Sequence, residues 1–209
     1  MTFWFACIAG VAAAYLLGSI PTGYLAARLL KGIDIRQHGS GSTGATNVLR
    51  TLGKGPALAV LLVDVLKGVA AIVFARWLYP WLEAPGPWLP WAVCLCGLAV
   101  LLGHSRSIWL GFTGGKSAAT GLGVLLALSW PVGVGAAVVF VAMLALVRIV
   151  SLASMLAALT AIALVHILPE PLAFRLLVIA GGLYVIALHR ANIARLLAGT
   201  EPKVGRSSP

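Results

Sequence analysis

The chain has 209 residues, of which 61% are hydrophobic and 10% charged, with a formal net charge of +10. That composition excludes an ordinary soluble domain. The cations sit at the ends of apolar runs and in short connections rather than along one face, which argues against nucleic acid as the partner. Several apolar runs approach the ~20 residues that cross a hydrocarbon core, so the expected class is an all-α polytopic membrane protein.

In chain order, the apolar pattern predicts seven spans near residues 3–30, 56–78, 88–102, 118–130, 131–147, 151–168 and 171–188. The first run lacks a basic leader and exceeds the usual length of a cleaved signal segment. Pro21, in Gly18-Ser-Ile-Pro21, predicts a kink within it. The fourth and fifth runs are short and read equally as one hairpin of half-length helices turning at Trp130-Pro131, which leaves five or six spans as the alternative.

With the N-terminus outside, the inner loops collect Lys31, Arg36, Arg50, Lys54, Arg106, Lys116, Arg148, Arg190, Arg195, Lys203 and Arg206, and the outer turns collect Glu83 and Glu170. Arg76 and Arg175 fall near outer helix ends, where long stems snorkel. Trp4, Trp77, Trp81, Trp88, Trp91 and Trp130 gather at the same outer ends, as an aromatic belt does. The expected organisation is a single integral membrane domain over 1–209, with a mobile cytoplasmic tail over 200–209. Every polar motif then faces the cytoplasm.

The first motif is the loop from His38 to Arg50, His-Gly-Ser-Gly-Ser-Thr-Gly-Ala-Thr-Asn-Val-Leu-Arg. Gly39, Gly41 and Gly44 permit close backbone approach, and consecutive N–H groups then form an anion-binding concavity. Ser40, Ser42, Thr43, Thr46 and Asn47 add side-chain donors, and Arg50 adds a planar fork suited to phosphate oxygens. Next, Asp64 and Lys67 sit three residues apart inside the second span and read as a structural ion pair.

The second loop carries Gly103-His104 and, further on, Gly114-Gly115-Lys116. It is not a nucleotide P-loop: Leu110 stands where the first glycine belongs, and no strand precedes it. The physics is still that of an anion site, because exposed backbone N–H groups and a lysine precede a helix N-terminus. Arg148, Ser151 and Ser154 share one helical face, as do His189 and Asn192; the bland reading of both is a helix end with a topological arginine. His166 is read as chemically idle. Cys7, Cys94 and Cys96 lie in apolar runs and read as packing residues, and no cluster has metal-ligand spacing.

Together these residues resemble the bacterial acyl-phosphate:glycerol-3-phosphate acyltransferases, integral membrane enzymes that begin phospholipid synthesis. The resemblance covers nearly the whole chain. It rests on Gly18-Ser-Ile-Pro21, the 38–50 loop, Gly103-His104, Phe112 with Gly114-Gly115-Lys116 and Ala119-Thr120, Arg148/Ser151/Ser154, and the segment from His189 through Asn192, Arg195 and Glu201. Two positions depart from the pattern: Ser42 stands where asparagine is usual, and Ser117 where glycine is usual. Both keep donor capacity, and the second restricts the backbone.

The resemblance implies seven spans in a bacterial inner membrane and a site facing the cytoplasm. It implies acyl transfer from acyl phosphate to the 1-hydroxyl of glycerol 3-phosphate, giving lysophosphatidic acid and phosphate. The implied catalytic residues are Ser40, Arg50, Lys116, Ser154, His189 and Asn192. The glycine-rich loops, with Gly39, Gly41, Gly44, Thr46, Asn47, Gly114, Gly115, Arg148 and Ser151, would hold substrate. The expected partners are the two substrates and membrane lipid, with no cofactor, no metal, no nucleic acid and no obligate protein.

What the sequence lacks shapes the expected mechanism. No histidine is followed, after four intervening residues, by aspartate, since Thr43, Trp109, Pro171 and Ala194 stand at those positions, and no serine elbow or Cys/His pair is present, so no acyl-enzyme is expected. An acyl phosphate is a mixed anhydride, for which positioning and charge stabilisation suffice. The alternative is a transporter of phosphate or a phospho-ester, suggested by short helices and the charges at Asp64 and Lys67. The one-sided gathering of the motifs and the lack of a visible repeat speak against it. A metal-dependent phosphotransferase would need an aspartate cluster that five scattered acids do not supply.

Overall fold

The computed structural model describes residues 2–81 and 86–205. They form ten α-helices: α1 (Thr2–Ser19), α2 (Thr22–Lys31), α3 (Ala45–Leu52), α4 (Lys54–Trp81), α5 (Leu89–Ser105), α6 (Ala118–Leu128), α7 (Trp130–Val147), α8 (Val150–Ile167), α9 (Leu172–Leu188) and α10 (Arg190–Leu197). Short 3-10 turns lie at Ile35–Gln37, Gly86–Trp88 and Ile108–Leu110. Among the described residues there is no β-strand; one isolated bridge, Ser107 to Thr113, closes the second loop.

Five segments are long and apolar enough to cross a membrane, and α9 with α10, bent by 58° at His189, makes a sixth. The expected fourth span is the shortest. It stops at Leu128 after 11 residues, about 16 Å at 1.5 Å per residue, half of a ~30 Å hydrocarbon core. The expected fifth is a full-length helix of 18 residues opened by Trp130 and Pro131. The hairpin of two half-length helices is therefore replaced by one short helix and one long one.

Backbone groups freed inside a bilayer must find partners within the protein. Pro21 interrupts the first apolar segment between α1 and α2, as expected. The freed carbonyls are taken up by side chains: Ser107 Oγ donates to Ser19 O at 2.6 Å, and Lys67 Nζ donates to Ile20 O at 3.2 Å. The early end of α6 is satisfied in the same way. Arg76 of α4 donates to Ala127 O and Leu128 O, at 2.6 and 3.2 Å, and so caps the last turn of α6. Arg76 thus has a structural task besides snorkelling.

Two helix crossings bring backbones together. A β-carbon at Gly18 would lie 2.3 Å from Val100 O, and one at Gly103 2.2 Å from Tyr15 O, so α1 and α5 meet at paired glycines. Gly68 and Gly123 do the same for α4 and α6, against Thr120 O and Val65 O at 2.2 and 2.0 Å. Small residues permit such close packing where lipid supplies no hydrophobic drive between helices. The central core runs through Ile72, Tyr79, Val100, Val132, Val165 and Phe174, while a separate cluster of Ala27, Ile35, Val48 and Val60 seats α3 against α2 and α4. Large apolar side chains such as Phe5, Leu29, Leu66 and Leu146 remain exposed around the perimeter.

Candidate active site

Four helices, α3, α6, α8 and α10, begin around one cavity of about 210 Å³. Their capping positions are Gly44, Ser117, Ile149 and His189, and none receives a side-chain cap. First-turn N–H groups therefore keep no intrahelical partner, and each helix start carries roughly half a positive charge. Gly44, Ala45 and Thr46 of the first loop, Ser117 to Ala119 of the second, and Val150 with Ser151 all line the space.

The side chains add to this field. Arg50, in the last turn of α3, lines the cavity, and its side chain makes no hydrogen bond among the described residues. Lys116, just before α6, donates to Asn192 Oδ1. Burial pushes the Lys116 ammonium below its ordinary value, neighbouring Arg195 and Arg50 push it further down, and Glu201 opposes them. An anion entering here would favour the charged form.

Asn192 is one member of a network around Glu201. Asn192 Nδ2 and Ser151 Oγ donate to Glu201 Oε1 at 2.6 and 2.7 Å, and Arg195 Nε donates to Oε2 at 2.7 Å. Burial alone would raise the Glu201 carboxyl, but hydrogen bonds from Asn192, Ser151 and Arg195 outweigh it and hold the group below the usual carboxylate range. Glu201 is thus fully engaged and leaves Arg50 and Lys116 without a carboxylate partner among the described residues. The segment from Thr200, expected as a mobile tail, turns back here: Glu201 is buried, and Val204 N donates to Arg148 O at 2.7 Å. Residues 206–209 lie outside the described chain.

His189 sits at the bend between α9 and α10. Its Nδ1 lies 2.8 Å from Val185 O. A carbonyl only accepts, so Nδ1 carries the proton and Nε2 is left as an acceptor in the cavity wall. Ser154, buried on α8, also lines the cavity with its hydroxyl free of protein partners among the described residues.

Of the residues expected to act, Ser40, Arg50, Lys116, Ser154, His189 and Asn192 all line this one cavity, together with Gly44, Thr46, Asn47 and Ser151. Gly39, Gly41, Gly114, Gly115 and Arg148 do not. Gly39 and Gly41 have φ of 59° and 70°, which turns the first loop. Gly115 packs on His104, and its N–H donates to His104 O at 3.1 Å. Arg148 ends α7 with φ of 60°. These positions shape the walls from behind.

Asn47 also looks inward. It accepts from Ser40 N at 3.0 Å and donates to His38 O and Ser42 O, both at 2.9 Å, and to Ile35 O at 3.3 Å. Ser117 takes the left-handed conformation that favours glycine, with φ of 58°, and donates from Oγ to Leu101 O at 2.8 Å.

Glu201 and Asp64 are wall residues that sequence reasoning left out of the site. Asp64 pairs with Lys67 at 2.9 Å, as expected, and also accepts from Thr22 Oγ1 at 2.6 Å beside His104. Away from the polar end, the cavity continues between α6, α7, α8 and α9 as an apolar arm. An anion-binding head with an apolar arm fits an amphiphile bearing a phosphate.

The comparisons agree with that shape. The family profile described as Glycerol-3-phosphate acyltransferase matches residues 8–199. The chain belongs to the glycerol-3-phosphate acyltransferase family. It is 69% identical to Glycerol-3-phosphate acyltransferase 2 of Rhizobium johnstonii, with 99% of each chain covered. It is 55% identical to Glycerol-3-phosphate acyltransferase of a Nostoc species, covering 99% of this chain and 96% of that one.

Among solved structures it is similar to PlsY (YgiH), an integral membrane glycerol 3-phosphate acyltransferase. The glycerol 3-phosphate form matches with TM-score 0.86 and 38% identity over 95% of this chain and 96% of that chain. The lysophosphatidic acid form matches with TM-score 0.83 and 38% identity over 95% of each. This member of the family is an all-helical integral membrane acyltransferase, and its polar residues from five separated segments meet at one cavity.

Proposed function

We propose that the protein transfers an acyl group from acyl phosphate to the 1-hydroxyl of glycerol 3-phosphate, at the cytoplasmic face of a bacterial inner membrane. The observation that carries this reading is the single cavity joining unpaired Arg50 and Lys116 and four uncapped helix starts to an apolar arm. The relatives' names supply the acceptor. The donor follows from the resemblance and from the lack of a nucleophile that would form an acyl-enzyme.

The acceptor hydroxyl attacks the acyl carbonyl directly. A new ester C–O bond forms, the C–O bond to phosphate breaks, and the hydroxyl proton ends on the departing phosphate. Arg50, Lys116 and the α3 and α6 starts stabilise charge on the phosphates. Ser154, Asn192 and the free Nε2 of His189 orient the acceptor, with the hydroxyl donating to Nε2 before attack. Ser40 and Thr46 add hydroxyls at the donor phosphate. The orientation is supported by the cationic loops at the site end and by Trp4, Trp77, Trp81 and Trp88 at the other, where Trp4 and Trp88 stack edge to face at 6.1 Å. No protein partner is needed for this chemistry.

The purified protein, given acyl phosphate and glycerol 3-phosphate, is expected to form lysophosphatidic acid and phosphate in equal amounts. Product only from acyl-CoA or acyl-carrier protein would overturn the donor. Uptake of glycerol 3-phosphate into sealed vesicles with no product would replace the enzyme by a transporter.

A further inference from the structure

The apolar arm changes character with depth. Near the polar head its walls are half-buried residues, Leu122, Phe140, Ala157 and Ala158, which leave a side open toward lipid; Ala137, at the depth of Ala136, keeps that side open on the outer face of α7. Deeper, four lining residues are buried: Ala136 and Ala161 are 3% and 2% exposed, and Leu177 and Val178 are each 4% exposed. Ala136 lies as many residues before Arg148 as Ala161 lies after Ile149, so the antiparallel α7 and α8 bring both to one depth. The distance from Ser154 to Ala161 along α8 is about 10 Å, and from His189 to Val178 along α9 about 16 Å. Below that level Val132, Val165 and Phe174 belong to the packed core and do not line the cavity.

We infer that Ala136, Ala161, Leu177 and Val178 form the floor of an acyl pocket and set how long a chain the donor can bury. The inference rests on the acyl-phosphate reading above. The first methylenes of the chain are taken between α6, α7, α8 and α9, and a longer chain must turn out through the half-open wall. Ala161 and Ala136 are therefore specificity-determining: a larger side chain at either raises the floor. A methylene that turns out into lipid or detergent loses its pocket contacts but not its burial, so each costs less than the roughly fourfold in kcat/KM that exposure to water would.

The test measures kcat/KM for octanoyl, lauroyl and palmitoyl phosphate with the whole protein in one detergent. In Ala161→Leu and Ala136→Leu the ratio of palmitoyl to octanoyl is expected to fall several-fold, below the roughly 10²-fold ceiling that exposing about three methylenes to water would set. Leu177→Ala deepens the floor and is expected to raise the same ratio. Turnover of octanoyl phosphate reports that each variant is folded. If the two enlarged variants fail to fold, the direction of Leu177→Ala decides alone. Equal loss on all three donors, or an unmoved ratio in Leu177→Ala, overturns the floor. Failure of the unaltered protein to use any acyl phosphate would instead overturn the function itself.

Discussion

His189 shows how one backbone contact assigns a chemical role. Val185 O fixes the proton on Nδ1 and leaves Nε2 free for the role proposed for it, accepting from the substrate hydroxyl. A ring that accepts through Nε2 loses that capacity once Nε2 is protonated, so kcat/KM should fall on the acid side of its pH profile. A pH–rate profile of His189→Gln should lack the acid limb; a limb that survives assigns it elsewhere. Glu201→Gln removes the charge on which Asn192, Ser151 and Arg195 converge. It should lower stability by about 1.5–3 kcal/mol and reduce activity with it, as read by thermal unfolding and turnover. Asn47→Ala should loosen the first loop and raise the KM for acyl phosphate more than that for glycerol 3-phosphate.

These residues were unequally legible. The cations and hydroxyls of the two glycine-rich loops pointed to an anion site because their chemistry is local; His189, at a helix end, entered only through the resemblance. The glycines did not reveal their direction: Gly39, Gly41, Gly114 and Gly115 signal backbone freedom, but only the fold shows that they bend the loops from behind. Glu201 was hidden by long-range folding. It lies past the last helix, and nothing in the pattern said that the chain would turn back onto Ser151. Its available signals were its place in the segment that carries the resemblance and its being a lone acid in a cationic terminal segment.

At the scale of elements, the design is a set of helices that start at the site without caps. A soluble helix would recruit serine, threonine, asparagine or aspartate to its first N–H groups. Here Gly44, Ile149 and His189 supply no cap, and the Ser117 hydroxyl is turned away to Leu101 O. The free donors are kept for a ligand. Ser117→Ala keeps the left-handed strain and loses that hydrogen bond, so it should destabilise by about 1–2 kcal/mol in thermal unfolding.

The short α6 also needs help at its other end. Arg76→Leu would leave Ala127 O and Leu128 O unpaired inside the bilayer. It should cost about 1–3 kcal/mol of stability without changing either KM. Helix periodicity and hydropathy predicted most elements because a bilayer imposes length and polarity together. They placed the end of the short fourth run at 130, two residues past Leu128, but not the contact from Arg76 that satisfies it, because that residue comes from another helix.

At the scale of the molecule, five separated polar segments become one site only through the packing of apolar helices. The paired glycines of α4 and α6 set how closely Lys116 approaches the first loop. Gly123→Leu should therefore lower both stability and turnover, although it touches no substrate. The family and the all-helical membrane class were readable from motifs spread over the whole chain. The number of full crossings was not, because α6 is apolar throughout but only half-length.

The most direct measurement is a structure of this protein with glycerol 3-phosphate bound. The account predicts the phosphate beside Arg50 and Lys116 at the helix starts, and the 1-hydroxyl within hydrogen-bond reach of His189 Nε2. A phosphate bound at the opposite, tryptophan-rich end, or away from all three residues, would contradict it.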